Sequence, residues 1–287
     1  MRNALLVATY KPPFISSNAY LSSLKRQFNI KKAGYLGTLD PFARGVLVVG
    51  FGSYTRLFPY LLKTPKTYRA TLWLGAKSAS LDIERIESIS LVQERDVQEI
   101  KDVLDSMCGR ITYTPPIFSA KHIGGKRAYE LAREGRAVHL AQVQMEIFDI
   151  ELLSFTHPFI HFEVSVSEGA YVRSIGEMIA HKLQVHGALS SLERVSEGEM
   201  SVSQNEGIRI LNPLDYLPFT KLTFAQIQAL SPQISATLAS DIFQGKKITL
   251  KNIQKGKYIV CFEDFFSIIE VFADGSIDYI LNRIALC

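Results

Sequence analysis

Asp40 sits in a stretch, GTLDPFARGVLVVG, whose other residues fix it and leave room around it. Pro41 biases the aspartate toward extended backbone, and Gly37 and Gly45 allow close approach by another chain segment or a ligand. A Gly-Thr-Leu-Asp-Pro string is most often a turn whose aspartate bonds its own backbone. Here the paired glycines and the apolar run that follows favour a carboxylate presented at the mouth of a buried strand. A ligand could sit directly on such a group. Two other side chains stand out by type. Tyr68 lies in KTYRATLWLG on the same face as Ala70, Leu72 and Leu74, where it is either a core tyrosine or an aromatic platform. Arg173 falls in the first turn of a helix spelled by GAYVRSIGEMIAHKL; a cation at the positive end of a helix dipole implies a partner anion.

Other chemistries find no matching pattern. The six histidines, at 122, 139, 157, 161, 181 and 186, have no HExxH or similar ligand spacing. Cys108, Cys261 and Cys287 are widely spaced, lack a CxxC pair, and read as reduced thiols. No metal and no redox cofactor is expected.

The elements that must position these residues are legible in outline. NALLVAT reads as a buried strand, and Ser16 or Ser17 caps a helix carrying Tyr20, Leu21 and Leu24. GVLVVGFG is a second strand, and KTYRATLWLG alternates as a two-faced one. Val97, Ile100, Val103, Leu104 and Met107 recur at helical spacing, predicting a helix over 92–108. PFIHFEVSVS alternates Ile160, Phe162, Val164 and Val166 against polar residues, and the helix of Arg173 follows, with Ile175, Met178, Ile179 and Leu183 as its apolar stripe. After LNPLDYLPF the pattern changes to a short helix and compact β runs with turns at FQGKK, KNIQKGK and FADGS, placing a domain boundary near residue 213.

Lysine and arginine exceed aspartate and glutamate by 32 to 28, giving a formal charge of +4 and a pI near 8.8. The excess is clustered: Lys25, Arg26, Lys31 and Lys32; then Lys121, Lys126, Arg127, Arg133 and Arg136; then Lys246, Lys247, Lys251, Lys255 and Lys257. Solvated helix faces are the ordinary reading of one cluster, whereas three together make a polyanion partner plausible. The opening apolar run is too short for a signal segment, and no stretch approaches the roughly 18 apolar residues of a membrane span, so the cytoplasm is expected.

The motifs resemble those of the TruB family, the tRNA pseudouridine-55 synthases. GTLDPFARGVLVVGFG looks like the family's catalytic motif. KPPFISS resembles its KPxGxTS box, KTYRATLWLGAKSASLD its KxYxxxxxLGxxTxTxD strand, and TPPIFSAKHIGGKRAYELAREG its PPxYSAxKxxGxRxYxxARxG segment. GAYVRSIGEMIAHKL is similar to GTYIRSLxxDLG, and SLERVSEGEM to LRRxxxGxF. Together, in one order, these span residues 5–200. The chain departs from the pattern at Tyr10 (commonly aspartate), Phe14 (glycine), Tyr35 (histidine) and Glu193 (arginine).

The resemblance implies a reaction in which the N1–C1′ bond of a uridine in the tRNA T loop breaks, the base turns, and C5 bonds to C1′. It assigns Asp40 as nucleophile or base, Tyr68 as the ring stacked on the uracil, and Arg173 as the partner of Asp40. It further implies RNA contacts by Lys11, Tyr35, Lys121, Lys126, Arg127 and Tyr171, with residues 112–140 as a basic clamp. A carboxylate can capture an oxocarbenium-like C1′ or remove the C2′ proton, and both routes stay open. No second acid is identifiable, and a base that leaves as a stabilised anion does not require one. The expected fold is α+β: a pseudouridine synthase domain over 1–212 on a mixed, mostly antiparallel sheet, and a small C-terminal β-rich, PUA-like RNA-binding domain over 213–287. A monomer is expected, with tRNA as partner and no membrane; a non-catalytic tRNA-binding module, or action on another RNA, is the alternative.

Overall fold

Seven consecutive buried residues in Leu5–Lys11 (β1) put the first strand inside a sheet covered on both faces. The computed structural model describes residues 4–119, 122–123, 126–128, 140–231 and 238–286. Helix α1 (Ser17–Phe28) follows, its Ser16 cap accepting a hydrogen bond from the Ala19 amide. Next come β2 (Ala33–Leu36), β3 (Arg44–Phe51), β4 (Lys66–Leu74) and the short pair β5 (Ala76–Ser78) and β6 (Ile86–Ile89). Helix α2 (Val97–Asp105) leads to β7 (Gly109–Tyr113), the short pair β8 (His122–Ile123) and β9 (Lys126–Arg127), β10 (Val143–Thr156) and β11 (Phe159–Val166). Helix α3 (Val172–Lys182) then precedes β12 (Gly187–Glu197), β13 (Met200–Ser201) and β14 (Ile208–Leu211).

Among the described residues these strands build a 10-stranded sheet in the order β14-β1-β3-β12-β4-β11-β10-β7, with β13 on β12 and β2 on β3. Its pairings are antiparallel except between β3 and β12, which run parallel and share only the register Glu193↔Arg44 and Arg194↔Gly45. Gly45 is required there: at φ 105° its hydrogen faces the β12 backbone, and a Cβ would lie 2.3 Å from the Arg194 carbonyl oxygen. The loop carrying Asp40 enters β3 at this junction.

The alternation of β4 holds, with Lys66, Tyr68, Ala70, Leu72 and Leu74 inward. They join a core containing Ile160, Phe162, Val164 and Val166 of β11, Ile100 and Leu104 of α2, and Ile175 and Ile179 of α3. Helix α2 is shorter than the expected 92–108, because the Asp96 side chain caps the Gln98 amide and starts the helix there; Val97, placed in its apolar stripe, is 47% exposed. Several strands went unrecognised, among them β2, β7 and β14, the long β10 and the central β12.

The C-terminal part comprises β15 (Thr220–Thr223), α4 (Phe224–Leu230), α5 (Leu238–Gln244), β16 (Gly256–Cys261), β17 (Phe265–Val271) and β18 (Ile277–Ala285), with a sheet in the order β15-β16-β17-β18. It has a core of its own around Leu222, Ile227, Ile242, Val260 and Ile269. A second cluster joins Ile259, Phe266 and Ile284 to Leu6, Val46, Tyr54 and Leu57, so the two sheets are packed together. Among the described residues no helix is long and apolar enough to cross a membrane.

Candidate active site

Asp40 lies on the floor of a cavity of about 310 Å³, lined among others by Thr38, Lys66, Tyr68, Tyr171, Arg173 and Arg194. Its side chain keeps 32% of its exposure, whereas that of Arg173 keeps 2%. The guanidinium faces the carboxylate through two nitrogens, Nη2 donating to Oδ1 at 3.2 Å and Nε lying 2.8 Å from Oδ2 as an ion-pair contact. Arg173 is itself fixed by donating to the carbonyls of Ser80 and Phe118, each at 2.8 Å. A second carboxylate, Asp82, stands 3.6 Å from Nη1 on a side chain 3% exposed. Arg173 at the start of α3 thus has two anions, and the implied compensation of its charge is met twice.

Burial pushes the Asp40 carboxyl above the ordinary aspartate value; Arg173 opposes this, the Asp82 carboxylate adds to it, and Lys11 opposes it. Asp82 does not line the cavity. It accepts a hydrogen bond from the Ser80 hydroxyl at 2.5 Å and another from the Glu84 amide at 2.9 Å.

Tyr68 is buried beside Asp40, facing Arg194 of β12 on one side and Val164 of β11 on the other. Arg194 is 1% exposed and ties the elements of the junction together: Nε donates to the Val46 carbonyl at 2.7 Å and Nη2 to that of Gly37 at 3.0 Å. Beneath it Glu197, fully buried, sits 3.6 Å from Arg194 and 2.6 Å from the Lys66 ammonium. Gly37, at φ 60°, packs on this group; a Cβ there would stand 2.8 Å from Lys66 Nζ and 2.9 Å from Glu197 Oε1.

The expected site residues fare unequally. Asp40, Tyr68, Arg173 and Tyr171 share the cavity. Lys11, expected to contact RNA, is instead 0% exposed, its ammonium donating to the carbonyls of Pro12 (2.9 Å), Ile15 (2.7 Å) and Pro41 (3.3 Å). It has no face to offer a phosphate and works as a brace under the Asp40 loop; burial lowers its pKa to about 8. Tyr35 lies on β2, donating to Asn18 of α1 at 3.2 Å, and does not line the cavity. Lys121 and most of 112–140 lie outside the described residues, and for Lys126 and Arg127 only the backbone of β9 is described.

Asp82, Lys66, Arg194 and Glu197 were missed. Lys66 carried a signal, since it precedes Tyr68 by two on one strand and so shares its face. Two of the departures from the family pattern touch each other: the Tyr10 hydroxyl donates to Glu193 at 3.0 Å, and Glu193 lies 2.9 Å from Arg44.

The family described as TruB family pseudouridylate synthase (N terminal domain) matches residues 25–172, more than half of the chain. The chain belongs to that family. A tRNA pseudouridine synthase B of Helicobacter hepaticus is 68% identical over 284 residues, covering 99% of this chain and 96% of that protein. One of Campylobacter jejuni subsp. jejuni serotype O:2 is 47% identical over 285 residues, covering 98% and 99%. Among solved structures, the Cbf5-Nop10-Gar1 complex contains a chain similar to this one with a TM-score of 0.63 at 18% identity, covering 99% of this chain and 84% of that one. An H/ACA RNP bound to a substrate RNA containing 2'-deoxyuridine gives a TM-score of 0.63 at 17% identity, covering 99% and 86%. At these identities the likeness establishes the pseudouridine synthase fold.

Proposed function

We infer that this TruB-family chain isomerises uridine to pseudouridine in tRNA, at position 55 of the T loop. The observation that carries the reading is the Asp40 carboxylate, open to a cavity on one side and gripped by the fork of a buried arginine on the other. The reaction breaks N1–C1′, turns the uracil, and forms C5–C1′; the C5 proton is lost and N1 is protonated, with no net change of oxidation state. Asp40 either bonds C1′ or takes the C2′ proton, and both need it ionised and held still, as the Arg173 fork would hold it. A uridine reaching this cavity must leave its loop, and the Tyr68 ring offers a stacking surface worth about 1–3 kcal/mol against that cost. Tyr171 closes the other wall.

In this reading residues 1–212 form the catalytic domain, and 213–287 a PUA-like domain that adds RNA-binding surface. The protein works on tRNA in the cytoplasm as a monomer. The test is to map pseudouridine in unmodified tRNA incubated with the protein and with its Asp40→Asn variant. Product at position 55 with the first, none with the second, and tRNA binding by both is the expected result. Full turnover by Asp40→Asn would overturn the assignment.

A further inference from the structure

Phe14 has φ 62°, and it is 73% exposed. The left-handed region strains a bulky residue, and an aromatic ring facing water forgoes the burial that usually stabilises it. Phe14 belongs to none of the buried clusters that would reward its ring with burial. The backbone explains only the turn. The Phe14 amide donates to the Pro41 carbonyl at 2.7 Å, and the Lys11 ammonium joins the carbonyls of Pro12, Ile15 and Pro41. Ser17 donates to the Leu39 carbonyl at 2.9 Å and accepts from the Leu39 amide at 3.0 Å. The segment carrying the ring is therefore bonded to both neighbours of Asp40. Glycine would make the same turn without strain, so the side chain is what phenylalanine adds.

We propose that Phe14 is an RNA-stacking residue, its ring lying against a nucleobase of the substrate strand next to the nucleotide held over Asp40. This rests on the reading of the chain as a uridine isomerase. A polynucleotide with one nucleotide in the cavity must pass its neighbours over the surrounding rim, and an uncharged flat face anchored to the Asp40 loop suits a base better than a phosphate. The bonds to Leu39 and Pro41 would convert stacking there into alignment of the sugar over the carboxylate.

The proposal is tested by steady-state pseudouridine formation, tRNA affinity and thermal melting of the wild type, Phe14→Gly and Phe14→Tyr. Phe14→Gly is expected to raise KM and weaken tRNA binding by about five-fold or more, with kcat within about two-fold. The same change relieves the backbone and raises Tm by about 2–4 °C, and Phe14→Tyr retains wild-type KM. A ring with a merely structural role would move Tm the other way. KM and affinity within about two-fold of wild type in Phe14→Gly would overturn the proposal, as would a lowered Tm or a loss carried by kcat. If the wild type makes no pseudouridine, the functional reading alone fails, and tRNA affinity still decides whether the ring meets RNA.

Discussion

Asp40 and Glu197 each meet an almost wholly buried arginine, and the fold treats them in opposite ways. Asp40 meets Arg173 at 2.8 Å with its side chain 32% exposed toward a cavity. Glu197 meets Arg194 at 3.6 Å and Lys66 at 2.6 Å with no exposure at all. The first carboxylate sits on a loop and is braced from behind; the second sits in a central strand and is enclosed. In the enclosed group the Glu197 carboxylate has lost its water and depends on Lys66 and Arg194, whose other sides line the cavity wall, so its integrity is a matter of folding. In the open group the arginine is spent on holding its partner's oxygens in place while one side stays free for a ligand. Gly37 touches the enclosed group and lies three residues before Asp40, so the sealed cluster is the foundation on which the open one rests.

The comparison breaks most visibly at Glu197. Replacing it by glutamine leaves Lys66 and Arg194 buried without a counter-charge, which costs about 3–5 kcal/mol and lowers the melting temperature by about 10 °C. Calorimetry checks this, and an unchanged Tm would show that the cluster is not the foundation described. Arg173→Lys should separate geometry from charge. The variant keeps a cation near Asp40 and Asp82 but loses the fork, so kcat for pseudouridine formation should fall about 100-fold while tRNA affinity holds. Single-turnover rates measure it, and a variant with wild-type kcat would mean that a point charge suffices.

Asp40 and Tyr68 stood out in the sequence, their roles and the Arg173 partnership came from the family resemblance, and Asp82 and the enclosed group went unseen; the reason lies in how each is encoded. Asp40 is bounded by glycines and a proline, which are strong local signals, and Tyr68 falls in a clean alternation. Strand β12 breaks that alternation: LERVSE carries Glu193, Arg194 and Glu197, and single-sequence patterning treats charge as exposure. Only the fold reveals that Arg194, at the parallel junction with β3, is buried with Glu197 3.6 Å away as its counter-charge. Lys11 shows the same failure, since a lysine before two prolines looks like surface yet is enclosed by three carbonyls. The departures at Tyr10 and Glu193 are 183 residues apart in sequence, and their hydrogen bond brings them together in the fold.

The smallest expected effect is on pH dependence, and it sharpens the contrast between the two groups. Burial raises the Asp40 pKa above the ordinary 3.8, with the Asp82 carboxylate among the groups that raise it and Glu197 not among them. In the proposed reaction turnover needs the ionised form, so the acid limb of kcat should lie above the ordinary aspartate range. Asp82→Asn removes one raising charge and should move that limb down, whereas Glu197→Gln should leave it in place. The stability signs follow by linkage. A raised Asp40 contributes stability that is fully present below the unfolded value and is lost as pH rises through the folded one. Lys11, lowered from 10.5 to about 8, contributes stability that is present above 10.5 and lost as pH falls through about 8. Rate profiles of wild type, Asp82→Asn and Glu197→Gln over one pH series measure the limbs. A limb that moves with Glu197 and not with Asp82 would mean that Asp40 titrates with the sealed cluster, and the division between open and enclosed carboxylates would fail.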